Sequence, residues 1–143
     1  MIDLLVVCAP GGHLTTARKL LSGFSGTYKY AVHSPKSDSL DGVEVIPVTQ
    51  SDRDMRFFIQ LYEAFIIIKK HKPKVILSTG AGVAVSFFIV GKIYGTKLVF
   101  VESQSRVHSI SLSGKLVIFL TNRFYVRYKD LANKSPKYIY IKE

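Results

Sequence analysis

The run Val75-Ile76-Leu77-Ser78-Thr79-Gly80-Ala81-Gly82-Val83-Ala84-Val85 constrains the chain more tightly than any other stretch. Branched apolar residues, bounded by a Lys-Pro-Lys segment before and Thr-Gly-Ala-Gly after, suit a parallel strand covered on both faces. Gly80 and Gly82 then allow an abrupt turn and leave the first amides of the following helix uncovered by side chains. A helix start of this kind attracts anions, because free N–H groups and the positive end of the helix dipole point the same way. Alternatively, the glycines serve packing alone, since a single glycine turn is a weak signal.

The same design occurs earlier. Ile2 to Ala9 is continuously apolar apart from Asp3, Pro10-Gly11-Gly12-His13 breaks it, and Leu14 to Leu21 places Leu14, Ala17, Leu20 and Leu21 on one helical face. Short strands are expected at Tyr28 to His33 and at Val43 to Val48, where Pro47 points to an edge or strand end. Ser34 to Gly42 reads as a polar connection. After the opening stretch come a helix to Tyr94, a strand from Lys97 to Glu102, a polar loop over residues 103–109, a helix from Leu112 to Thr121, and strands at Arg123 to Val126 and Tyr138 to Ile141. This alternation predicts an α/β fold with a mostly parallel sheet and right-handed connections, formed by one domain over residues 1–143.

Hydrophobic residues make up 48% of the 143, which excludes intrinsic disorder. Twenty Lys and Arg against ten Asp and Glu give a formal charge of +10, which attracts phosphates, nucleic acid or anionic lipid without choosing among them. No nucleic-acid module accompanies the charge, so nucleic acid is not expected as a partner. Cys8, the single cysteine, lies in the first apolar run and reads as a small core residue. His33 and His71 show no ligand spacing, so no metal is expected; no cofactor is expected either. The uncharged run from Val75 to Gly91 is broken by its glycines, which argues against a membrane span.

One long helix is expected from a cap at Ser51 or Asp52 to about His71, and it is unusually apolar. Met55, Phe58, Ile59, Tyr62, Phe65 and Ile66 form one stripe; Phe57, Leu61, Ala64 and Ile68 form a second beside it, with Arg56, Gln60 and Glu63 as a narrow polar strip. A helix packed on one side of a sheet needs a single stripe. The second is covered by more protein, by a partner or by lipid, and Lys69 and Lys70 suit both the helix dipole and anionic headgroups.

Loops after the C-terminal ends of parallel strands share one rim, and ligands bind there. Gly11-Gly12-His13, Gly80-Ala81-Gly82 and the segment from Glu102 to His108 are expected to meet at that rim as a pocket for an anion. His13 is placed to contact phosphate, to accept a proton or simply to cap a helix. Glu102 ends an apolar strand, either bonding backbone amides or taking part in acid–base chemistry. Arg106 is the cation best placed for a phosphate.

Three segments occur in a familiar order: Ala9-Pro10-Gly11-Gly12-His13-Leu14-Thr15, Leu77 to Val85, and Val101-Glu102-Ser103 through Leu112-Ser113-Gly114-Lys115-Leu116. They resemble the membrane-associated subunit of the two-part UDP-GlcNAc transferase that adds the second GlcNAc in dolichol-linked oligosaccharide synthesis, and the PssD-type polysaccharide biosynthesis proteins of bacteria. The pattern is also similar to the N-terminal half of the one-chain peptidoglycan GlcNAc transferase, a GT-B enzyme whose N-terminal half handles the lipid-linked acceptor and whose C-terminal half binds the UDP-sugar. The resemblance implies a Rossmann-like, mostly parallel sheet with helices on both faces, resembling a GT-B N-terminal domain.

It also implies a role for each loop. Gly11, Gly12, Gly80, Ala81 and Gly82, with Arg106, would hold the acceptor diphosphate, and His13 and Glu102 would be the catalytic pair of an inverting sugar transfer. The chain stops at Glu143 without room for a donor-binding domain, so a separate donor-binding catalytic subunit is expected as partner, beside a lipid-linked diphosphate sugar. No N-terminal membrane anchor like that of the eukaryotic members is expected. Peripheral attachment to the cytoplasmic face of a membrane is therefore expected through Phe57, Leu61, Ile68, Lys69 and Lys70. The competing expectation is a non-catalytic scaffold that recruits the catalytic subunit to the membrane.

Overall fold

The computed structural model describes residues 1–51 and 54–142. In chain order the elements are β1 (Leu4–Cys8), α1 (Gly12–Leu20), β2 (Tyr28–His33), β3 (Ser39–Leu40), β4 (Val43–Val48), α2 (Arg56–His71), β5 (Val75–Gly80), α3 (Val83–Ile93), β6 (Lys97–Val101), α4 (Leu112–Val117), β7 (Arg123–Val126), α5 (Lys129–Ala132) and β8 (Tyr138–Tyr140). Eight strands form one sheet in the order β3-β4-β2-β1-β5-β6-β7-β8. Every pair is parallel except β3 with β4.

Side-chain alternation in the strands divides the core in two. Leu5 and Val7 point into a layer with Ala64 and Ile68 of α2, Phe87 and Phe88 of α3, and Val117 of α4. Leu4, Val6 and Cys8 point the other way, against Ala17 of α1 and the adjacent Leu21. Helices therefore cover both faces, as the mostly parallel pattern predicts. Cys8 is fully buried, and burial pushes its thiol up to about 12.

Two short elements escape the sequence reading. Inside the stretch read as a polar connection, Asp41 and Gly42 both adopt positive φ and turn β3 back onto β4, the Asp-Gly hairpin signal. α5 is one turn long, too short to show a period.

The long helix corrects two expectations. Asp52 lies outside the described residues, and Ser51 is not the cap, because α2 starts at Arg56 with Met55 preceding it in helical geometry. The Asp54 carboxylate accepts from the Arg56 amide at 3.0 Å instead. The two apolar stripes are also exchanged. Ile68 is 2% exposed and Ala64 fully buried, while Tyr62 is 65% exposed along with Met55, Phe58, Ile59, Phe65 and Ile66. Phe57 and Leu61 are half-buried, so the stripe expected to meet a membrane is the one turned inward; Lys69 and Lys70 remain exposed.

The polar strip explains the exchange. Gln60 is buried, donating to the Thr49 carbonyl at 2.9 Å and accepting from Ser86 Oγ at 2.7 Å. Glu63 accepts from the Thr49 amide at 2.7 Å and from its hydroxyl. These side chains satisfy backbone and hydroxyl groups where β4 ends, which turns the polar strip inward and the apolar stripe out.

Candidate functional site

β1 and β5 lie side by side, and from this pair the chain winds outward in opposite directions, toward β3 and toward β8. This is the switch point at which a doubly wound sheet opens a crevice beyond its strand ends. Both glycine turns stand at that crevice, because each follows the C-terminal end of one of these two strands.

The turns are cross-bonded. Nδ1 of His13, in the first turn of α1, lies 2.9 Å from the Thr79 carbonyl oxygen, and the Thr79 hydroxyl donates to the His13 carbonyl at 2.6 Å. A carbonyl only accepts, so in the neutral ring Nδ1 carries the proton and the lone pair lies on Nε2. Gly80 makes room for this arrangement: a Cβ there would lie 2.7 Å from His13 Cε1 and Nδ1, and its φ is +133°. Thr79, which ties the two turns together, is the residue of this arrangement that the sequence did not single out. A hydroxyl residue before a glycine turn carries no sign of a partner 66 positions earlier.

Glu102 is 2% exposed and serves the backbone. Its Oε1 accepts from the Ser103 amide at 3.0 Å, while Oε2 accepts from the Ser111 amide at 2.8 Å and the Ser111 hydroxyl at 2.9 Å. Ser111 Oγ in turn accepts from the Gly114 amide at 3.0 Å, capping α4. Gly114 is required there, since a Cβ would come within 2.7 Å of Glu102 Oε2. The loop between β6 and α4 is also held from outside, where Tyr128 Oη donates to the Gln104 carbonyl and Lys134 Nζ to the His108 carbonyl, both at 2.5 Å.

Removing the carboxylate by Glu102→Ala leaves the Ser103 and Ser111 amides without their acceptor. It is expected to cost about 2–4 kcal/mol, or on the order of 10 °C in Tm, measured by thermal unfolding. Glu102→Gln, which keeps one acceptor oxygen, is expected to lose about half as much.

Three loops meet in a cavity of about 260 Å³ lined by His13, Ala81, Glu102, Ser105, Arg106 and Ser113. Of the glycines named from sequence, none lines this cavity itself. Gly80 is buried beneath His13 and its amide donates to Ser78 Oγ at 3.2 Å, so it shapes the site instead of contacting a ligand. Gly82 faces an adjoining cavity of about 580 Å³, and Gly11 lines a third of about 250 Å³ beside Arg18 and Lys36. Gly12 opens α1 with nothing within 4 Å of a Cβ placed on it.

Ala81 holds a φ of +74°, which an L-residue adopts at a cost of about 1–2 kcal/mol. Such strain persists where the surrounding structure enforces it, often at a functional turn. Among the described residues no three His, Cys, Asp or Glu side chains gather to hold a metal ion.

Residues 48–142 match the family described as oligosaccharide biosynthesis protein Alg14 like. The chain is 27% identical over 177 aligned positions to the human UDP-N-acetylglucosamine transferase subunit ALG14, covering 98% of this chain and 82% of that one. Among solved structures, MurG of Acinetobacter baumannii superposes with a TM-score of 0.73 at 12% identity, covering 90% of this chain and 42% of MurG. The UDP-N-acetylglucosamine 2-epimerase of Rickettsia bellii superposes with a TM-score of 0.78 at 10% identity, covering 98% of this chain and 44% of the epimerase. These structural likenesses establish a fold shared with MurG and the epimerase, over less than half of each larger chain.

Proposed function

From the premise that the chain belongs to the Alg14-like family of oligosaccharide biosynthesis proteins, we propose that it is the acceptor-binding subunit of a two-component inverting glycosyltransferase. The acceptor is a polyprenyl-diphosphate-linked saccharide, and a separate donor-binding subunit brings UDP-GlcNAc to the same cleft. The observation that carries this reading is the pair of reciprocal hydrogen bonds joining His13 to Thr79, which ties two helix starts together at the margin of a cavity that Arg106 also lines.

The diphosphate sits over the first turns of α1 and α3, opposite Arg106, where amide donors and the guanidinium offset its charge. The acceptor hydroxyl attacks the anomeric carbon as the bond to UDP breaks, and Nε2 of His13 takes the hydroxyl proton. Glu102 holds the loop that carries Arg106 and is a positioning residue. Fixing both substrates in one cleft supplies much of the acceleration. Alone, the subunit is inactive. The test is transfer of radiolabelled GlcNAc from its UDP-sugar to a prenyl-diphosphate acceptor by the chain mixed with its donor-binding subunit. Product from the pair and from neither part alone supports the reading; undiminished product from the donor subunit alone removes it.

The subunit works at the cytoplasmic face of a membrane, held peripherally. No helix among the described residues is long and apolar enough to cross a membrane. The exposed stripe of α2 instead continues through Phe65, whose ring lies 5.9 Å from that of Tyr94, and Lys69 Nζ stands 5.7 Å from the Phe65 ring. An exposed apolar stripe bordered by lysines suits an interface with anionic headgroups. Ile59→Glu with Tyr62→Glu is expected to lower binding to phosphatidylserine-containing vesicles at least tenfold in co-sedimentation. Full retention of binding would move the membrane contact elsewhere.

A further inference from the structure

The cavity of about 580 Å³ beside the proposed diphosphate site is bounded by α2, α3 and α4. Leu112 and Ser113 line both cavities, and Ala81 of one is bonded in sequence to Gly82 of the other. Gly82 is exposed and forms a low sill between them, where even a Cβ would stop 4.0 Å short of the Ser51 carbonyl. Beyond the sill the lining turns apolar through Phe57, Val85 and Leu116. Gln60, the polar side chain at this end, is bonded to Thr49 and Ser86. Leu112 and Leu116 stand on the outer side, both among the exposed large apolar residues.

With a diphosphate in the neighbouring cavity, an occupant that reaches into this crevice is apolar, narrow enough to pass over a glycine, and tied to that anion at one end. A prenyl chain attached to a diphosphate meets all three conditions. A helix of a partner protein, about 10 Å across with its side chains, is too wide to pass over that sill. We propose that this crevice receives the first isoprenoid units of the acceptor lipid, guiding the chain from the diphosphate cradle to the exposed apolar surface. The crevice would then select the lipid as well as tolerate it. This inference rests on the diphosphate reading and adds the path of the chain.

Calorimetric titration of the full chain with inorganic pyrophosphate, geranyl diphosphate and farnesyl diphosphate separates the two. The native protein is expected to bind about tenfold more tightly at each added isoprenoid unit lodged in a half-open apolar crevice. Val85→Trp, which fills the crevice, and Leu116→Asp, which charges its mouth, are expected to flatten the series while leaving pyrophosphate affinity within about twofold. Leu116 is 55% exposed, so its substitution leaves the core intact should the tryptophan variant misfold. A native series that is already flat, or steps that survive both substitutions, would overturn the crevice with pyrophosphate binding intact. Loss of the donor-binding subunit from Leu116→Asp with the steps unchanged would make the crevice a subunit contact and overturn it equally. Failure of pyrophosphate itself to bind would remove the cradle and the crevice together.

Discussion

Gly80→Val is expected to reduce sugar transfer by the assembled pair at least a hundredfold. The added Cβ would stand 2.7 Å from two atoms of the His13 ring, and the rest of the valine would need still more space. The ring has to leave, and with it goes the Nδ1 bond to Thr79 that joins the two turns. A misplacement of about 1 Å in a catalytic array is enough for a loss of this size. The φ of +133° adds backbone strain, so a stability loss of about 2–4 kcal/mol is expected as well. Co-purification with the donor-binding subunit is expected to persist, because the turn is buried beneath His13. Loss of partner binding in a folded variant, with transfer restored by excess partner, would favour the scaffold reading.

His13→Ala addresses the chemistry with less disturbance of the backbone. It is expected to lower kcat by about 10²–10⁴, the range of a positioned general base, while leaving KM for the UDP-sugar within about threefold. A structural role alone would not change the shape of the pH–rate profile. A base role predicts that the shape of that profile changes in the alanine variant. Full turnover by His13→Ala would eliminate the base and leave the residue as a tie between turns.

The sequence revealed the parts of the site that depend on local backbone chemistry. Two apolar strands ending in glycine turns, each followed by a helix, are visible because glycine and hydrophobic period act over a few residues. That both turns share one rim follows from the geometry of parallel sheets. Pairings across the fold were not legible: the partner of His13 is 66 positions away, and Glu102 serves Ser111 across a loop nine residues on.

The orientation of α2 was hidden for a different reason. Period alone shows two apolar stripes without saying which faces inward. Gln60 and Glu63 would normally mark the solvent side, but here they satisfy Thr49 and Ser86 and settle the helix the other way round. A polar residue on a helix marks solvent only when nothing buried needs its hydrogen bonds.

The convergence of both glycine turns on one diphosphate is tested most directly by amide resonances of the isotope-labelled chain titrated with inorganic pyrophosphate. Saturating shifts are expected together in the segments Gly11 to Leu14 and Ala81 to Ala84, with a single binding constant. Shifts confined to one turn, or gathered around Arg18 and Lys36 in the cavity beyond Gly11, would contradict it.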